Sequence, residues 1–160
     1  RLDLKVVYIS GATGTGKTRG VLEKNGYSNV YRVTDYLHPF DSYNGQPVIA
    51  FDEFRSSLRI KEMLLFCDIY PIELPSRYTN KYACYNKVYI ISNWSLEKQY
   101  YEVQKDDKES WEASVYFGIG QNKLRELTNS DSCPYVIWCG NKRLIKRKLF
   151  LEYLEKMYSI

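Results

Sequence analysis

Histidine is nearly absent from this chain: His38 is the only one in 160 residues. Cysteine is scarce as well, and Cys67, Cys84, Cys133 and Cys139 form no pair with the C-x-x-C spacing of a zinc site. Four free thiols are expected, the state of a reducing compartment. No apolar run comes near the roughly 20 residues that a membrane-spanning helix needs. No secretory leader is expected, because the first apolar stretch has strand length and runs straight into a glycine loop. There is no internal repeat, no low-complexity tract and no linker. Neither sign of charge dominates. Lys and Arg number 23 against 19 Asp and Glu, a net +4 that is compatible with nucleic acid without pointing to it. The chain starts on Arg1 with strand character at once, so a piece cut from a longer protein is expected.

What is present suffices for one domain with a core: 44% hydrophobic and 26% charged residues. Aromatics reach 16%, with 16 Tyr. β-Branched and aromatic runs predict strands over residues 4–10, 29–33, 48–54, 88–92 and 134–139. Helical spacing predicts helices over 17–25, 60–70 and 144–157, with a charged, partly helical stretch at 100–112. Residues 72–87 suit a hairpin with 78–81 at its tip. Strands alternating with helices imply an α/β fold with a parallel sheet. The whole is read as a single domain, with a core over 1–128 and a C-terminal strand and helix over 129–160.

Gly11-Ala12-Thr13-Gly14-Thr15-Gly16-Lys17-Thr18 fits G-x-x-x-x-G-K-[ST] at every fixed position, between a predicted strand and a predicted helix. Glycines let the backbone curl so that its N–H groups converge on phosphate oxygens. The following helix turns its positive end to the same anion. Lys17 would reach the β and γ phosphates, and the Thr18 hydroxyl would hold Mg²⁺. A dinucleotide fingerprint does not fit, since Arg19 stands where its third glycine belongs.

Four apolar residues and then Asp52-Glu53 place two carboxylates at the carboxyl end of a strand. Asp52 suits the metal and Glu53 the attacking water. Asn93 ends a further apolar strand. It would lie beside the γ phosphate if that strand sat between the other two. On spacing alone, a turn-capping role for Asn93 fits equally well.

These elements, in this order, resemble the superfamily 3 helicase domain of Rep proteins from circular single-stranded DNA viruses and related plasmids. The matching stretches are GATGTGKT, VIAFDEF, LLFCDIYPIELPSR and VYIISNWS, within a likeness that covers about residues 5–112. The resemblance implies an AAA+-like P-loop NTPase core, with helices on both faces of the sheet and a DNA-binding β-hairpin. It implies ATP and Mg²⁺ as cofactors, and a homo-oligomeric ring, a hexamer, moving on single-stranded DNA. Lys17 and Thr18 then take the Walker A roles, Asp52 and Glu53 the Walker B roles and Asn93 the sensor role. Arg77, Tyr78 and Lys81 would meet DNA from the hairpin. The setting would be a host nucleus for a virus of a eukaryote, or the cytoplasm for a bacterial plasmid.

The sequence departs from that family in two places. The nicking domain that normally precedes this module is absent from the chain. The paired arginines expected after residues 109–113 are missing too, so Arg125 is either a displaced arginine finger or there is none. Two other readings use the same loop: a small P-loop kinase, and a degenerate module that binds ATP and DNA with little turnover. An arginine-rich lid, which the kinase needs, is not seen before the last strand. The basic cluster Lys142, Arg143, Lys146, Arg147 and Lys148 reads first as a solvated face.

Overall fold

Each buried apolar run becomes a strand, and each glycine- or proline-marked break becomes a turn. In the computed structural model, which describes residues 3–103, 105–130, 133–140 and 142–158, the elements run as follows. They are β1 (Lys5–Ser10), α1 (Lys17–Asn25), β2 (Val30–Val33), β3 (Val48–Phe51), α2 (Ile60–Phe66), β4 (Glu73–Leu74) and β5 (Lys81–Tyr82). After them come β6 (Lys87–Ser92), α3 (Lys105–Phe117), α4 (Gln121–Leu127), β7 (Val136–Cys139), β8 (Lys142–Ile145) and α5 (Arg147–Tyr158). They form two compact units, Arg1–Gln121 and Asn122–Ile160. The sequence reading treats the chain as one domain divided at residue 128; the two units divide at residue 121 instead.

The first unit is built on a four-stranded parallel sheet in the order β1-β6-β3-β2. Parallel strands are covered on both faces, so their residues alternate between two apolar layers. Ile49, Phe51, Val88 and Ile90 pack with Ile60 and Met63 of α2 and with Trp111 and Val115 of α3. Val48, Ala50, Tyr89 and Ile91 pack with Val21 of α1 on the other face. The α/β fold with helices on both faces is thus as the sequence implied. The expected hairpin is present as the antiparallel pair β4 and β5.

Four boundaries differ from the sequence reading. β3 stops at Phe51, so the two carboxylates follow the strand instead of ending it. α2 stops at Phe66, where Cys67 leaves helical geometry at ψ 10°. α3 runs on to Phe117, through residues that periodicity left unassigned, and ends as Gly118 takes φ 68°. The closing helix begins at Arg147. Residues 142–145 pair with β7 instead of starting that helix, because Gly140 at φ 61° folds the chain back. α4 was not foreseen.

Gln99 braces the sheet's carboxyl edge. It is fully buried, and its amide donates to the Tyr8 hydroxyl at 2.8 Å, the Phe54 carbonyl at 3.1 Å and Ser92 Oγ at 3.1 Å. Its Oε1 accepts from the Ser56 N–H at 2.7 Å and from Ser56 Oγ at 3.0 Å. Gln99→Leu keeps the volume but strands several buried polar groups. A loss of about 3 kcal/mol is expected, since each orphaned group costs roughly 1–3 kcal/mol. A urea melt checks this, and an unchanged midpoint would mean that water replaces the amide.

Candidate functional site

The sheet order sets the site. β6 lies between β1 and β3, so the loops after these three strands open side by side. Register makes this concrete: Ser10 of β1 pairs with Ser92 of β6, and Phe51 of β3 pairs with Ile90. The condition attached to Asn93 is therefore met by the fold.

The glycine loop joins β1 to α1. Gly14 and Gly16 have φ of 81° and 78°, a left-handed geometry that a β-carbon resists. Lys17 folds back over this loop, where Nζ donates to the carbonyls of Gly11 at 2.9 Å and Ala12 at 2.7 Å. The ammonium thus rests on backbone oxygens at the mouth of the loop.

Asp52 is 3% exposed, and every polar atom of it is engaged. Oδ1 accepts from Thr18 Oγ1 at 2.9 Å and from the Glu53 N–H at 3.0 Å. Oδ2 accepts from Arg32 Nε at 2.6 Å. Its own N–H reaches the Val33 carbonyl, and its carbonyl accepts from the Tyr36 hydroxyl at 2.6 Å. Burial, and then the negative charges of Asp52 and Glu53, push ionisation of Tyr36 well above the usual tyrosine range. Tyr36 stays a hydrogen-bond donor as a result.

Glu53 is exposed and sits at φ 51°, an uncommon conformation for a side-chain-bearing residue. The Phe54 N–H bonded to the Ile91 carbonyl at 2.9 Å helps to fix that turn. Asn93 Oδ1 accepts from Arg55 Nε at 3.1 Å, and the Arg55 guanidinium lies 5.9 Å over the Trp94 ring. A cavity of about 330 Å³ gathers these groups, lined by Thr13, Gly14, Thr15, Gly16, Lys17, Thr18, Asp52, Glu53 and Asn93 among others. Two loop residues expected at the phosphate, Gly11 and Ala12, do not line it. They hold Lys17 instead.

The hairpin residues stand apart. Arg77 pairs with Asp41 through both its guanidinium and its N–H, and these bonds hold the Asp41 carboxyl below its ordinary range. Lys81 Nζ donates to the carbonyls of Asp41 and Tyr43, each at 2.7 Å. Two of the three residues expected to meet DNA thus anchor the hairpin to residues 41–43. Tyr78 is 88% exposed and carries only the Arg77 guanidinium near its ring, at 5.8 Å. Arg125 lies on α4, whereas the cavity's lining comes wholly from the first unit.

Residues 7–93, over half of the chain, match the family described as RNA helicase. The chain belongs to this helicase family, that of the superfamily 3 domains in circovirus Rep proteins. The replication-associated protein of Beak and feather disease virus is 30% identical over 102 residues, which are 64% of this chain and 34% of that protein. Its counterpart in Canary circovirus is 32% identical over 96 residues, 60% of this chain and 32% of that protein. The chain therefore spans about a third of the length of these relatives. A protein of another kind, the excisionase from transposon Tn916 of Streptococcus agalactiae, is 42% identical over 50 residues, which are 31% of this chain and 75% of that protein. A replication-associated helicase-type domain is thus established for the first unit.

Two residues of this helicase domain escaped the sequence reading, Arg32 and Arg55. Arg32 stands among apolar residues in β2, which was the only available signal: an arginine in a sheet strand needs a carboxylate. Arg55 follows Asp52 by three residues, but only the turn at Glu53 brings it to Asn93.

Proposed function

We propose that the first unit binds ATP with Mg²⁺ and hydrolyses it to move along single-stranded DNA, as the motor of a replication initiator. One observation carries this: Lys17, Thr18, Asp52, Glu53 and Asn93, far apart in sequence, line one cavity. Lys17 releases its two carbonyls and pairs with the β and γ phosphates. Thr18 Oγ1 and Asp52 Oδ1, hard oxygens 2.9 Å apart, suit Mg²⁺, which in nucleotide sites needs only one or two carboxylates beside phosphate oxygens. The ion's part is to neutralise phosphate charge. Glu53 takes a proton from the attacking water, and Asn93 orients that water.

A ring of like subunits, a hexamer in the resemblance, gives each site a neighbour through a closing heterologous interface. The finger role of Arg125 would be played on such a neighbour's nucleotide. At the hairpin, exposed Tyr78 offers a ring on which a base stacks, with Arg77 beside it. Anchoring by residues 41 and 43 leaves Lys81 in a supporting role there. An N-terminal nicking domain in the parent protein remains part of this reading.

The test is phosphate release by the chain with and without a single-stranded oligonucleotide, together with its mass with and without ATP. Stimulation by the single strand and a larger, ring-sized species in ATP are expected. A turnover rate indifferent to single strands overturns the motor. Transfer of phosphate to a small acceptor would select a kinase instead, and bound ATP that stays intact would leave a binding module.

A further inference from the structure

The net charge of +4 is not spread over the chain. The second unit holds 8 of the 23 Lys and Arg but only 4 of the 19 Asp and Glu, so it carries the whole +4 and the first unit is neutral. The helicase match ends at residue 93, which leaves this unit with no part in the reading above beyond Arg125.

The element order there is specific. α3 ends in a three-residue turn, Gly118-Ile119-Gly120, closed by the Gly118 N–H on the Val115 carbonyl and the Ile119 N–H on the Ser114 carbonyl. α4 follows directly, and then come the antiparallel β7–β8 hairpin and α5. Helix, short glycine turn, helix is the chain order of helix-turn-helix DNA readers, and a two-stranded ribbon is a second element that grooves admit.

Burial shows which sides face outward. Leu124 and Thr128, one turn apart, are buried, while Arg125 between them is exposed. In α5, Phe150 and Leu154 are buried, with the Phe150 ring against Tyr135, while Arg147 and Lys148 are exposed, as is Lys146 just before them. The Arg143 guanidinium locks hairpin to helix. It donates to the Arg125 carbonyl at 2.9 Å and to Thr128 Oγ1 at 2.6 Å, and lies 5.0 Å over the Trp138 ring. Helix and hairpin are therefore one preorganised surface, basic outside and apolar within.

We propose that this second unit binds double-stranded DNA, with α4 entering the major groove and Lys146 and Lys148 meeting the phosphates. A B-form major groove is wide enough for an α-helix, and the narrow one of duplex RNA is not. Duplex binding by this unit needs no nucleotide, so it stands or falls independently of the motor. The chain would then hold duplex with one unit while the other works on the single strand.

The test is fluorescence anisotropy of the whole chain, without ATP, on a labelled DNA duplex of roughly 20 base pairs, two helical turns. Lys146→Glu/Lys148→Glu is compared with the wild type and with Lys146→Arg/Lys148→Arg. At least a tenfold loss in duplex affinity is expected for the glutamate pair, with basal ATP turnover unchanged and binding kept by the arginine pair. Affinity should fall linearly with the logarithm of salt, and the slope should be shallower in the glutamate pair by about one for each phosphate no longer neutralised. Equal affinity of wild type and the glutamate pair overturns the proposal. Tighter binding to duplex RNA of the same sequence overturns it in favour of an RNA surface.

Discussion

Lys17→Ala is expected to lower ATP turnover by at least about 10²-fold, the scale set by removing one preorganised group that stabilises transferring charge. The Lys17 ammonium bonds to carbonyls of its own loop and, more distantly, to Thr15 Oγ1 at 3.4 Å. Those bonds are exposed, so losing them should change stability by under about 0.5 kcal/mol, as at other surface positions. Fold and function then separate cleanly. Thermal melts of the two proteins should overlay, phosphate release should collapse, and a fluorescent ATP analogue should bind more weakly. A variant that hydrolyses ATP at the wild-type rate would remove the glycine loop from the chemistry.

The sheet and its motifs were legible because each rests on local signals. An apolar run, a glycine loop and a following helix constrain one another within residues 5–25. Asp52 and Glu53 were legible as a pair, but the difference in their surroundings was not. Asp52 is buried with Thr18 and Arg32 as partners, whereas Glu53 is exposed on a left-handed turn. That difference arises where β3 ends, a feature that periodicity does not fix. The hairpin was legible as a hairpin, yet Lys81 looked free because its acceptors, the carbonyls of residues 41 and 43, lie about 40 residues away in sequence. The C-terminal region misled for another reason. Leu144, Leu149 and their neighbours have helix-like spacing, and only the pairing of Trp138 with Arg143 and Ile137 with Leu144 reveals the strand.

The placing of Arg125 follows from the same region. Read along the sequence, it is the next arginine after a missing pair, and hence a finger candidate. On α4 it faces outward, its own carbonyl accepting from Arg143, within a unit that carries the chain's entire positive charge. A charge-reversed surface that loses duplex binding while retaining turnover would tie this region to DNA, not to the neighbour's phosphate.

Glu53→Gln separates hydrolysis from binding. The change is isosteric, and it keeps the Glu53 N–H on Asp52 Oδ1 and the turn at φ 51°. What disappears is the ability to accept a proton from water. Turnover should therefore fall by roughly 10²–10⁴-fold, the range for a lost general base, while ATP affinity stays within about threefold. Asp52→Asn is the informative contrast. Its carboxylate accepts from Thr18 and Arg32 in a buried setting, so neutralising it leaves the Arg32 guanidinium without an anionic partner. It should lower stability and the response to Mg²⁺ together, whereas Glu53→Gln should lower neither. Single-turnover kinetics with a Mg²⁺ titration and a urea melt on each variant read all three quantities. If Glu53→Gln retains a third or more of the wild-type rate, the proton goes elsewhere. If the two variants fail in the same way, the carboxylates act as one metal-binding pair and the separate water-activating role of Glu53 is lost.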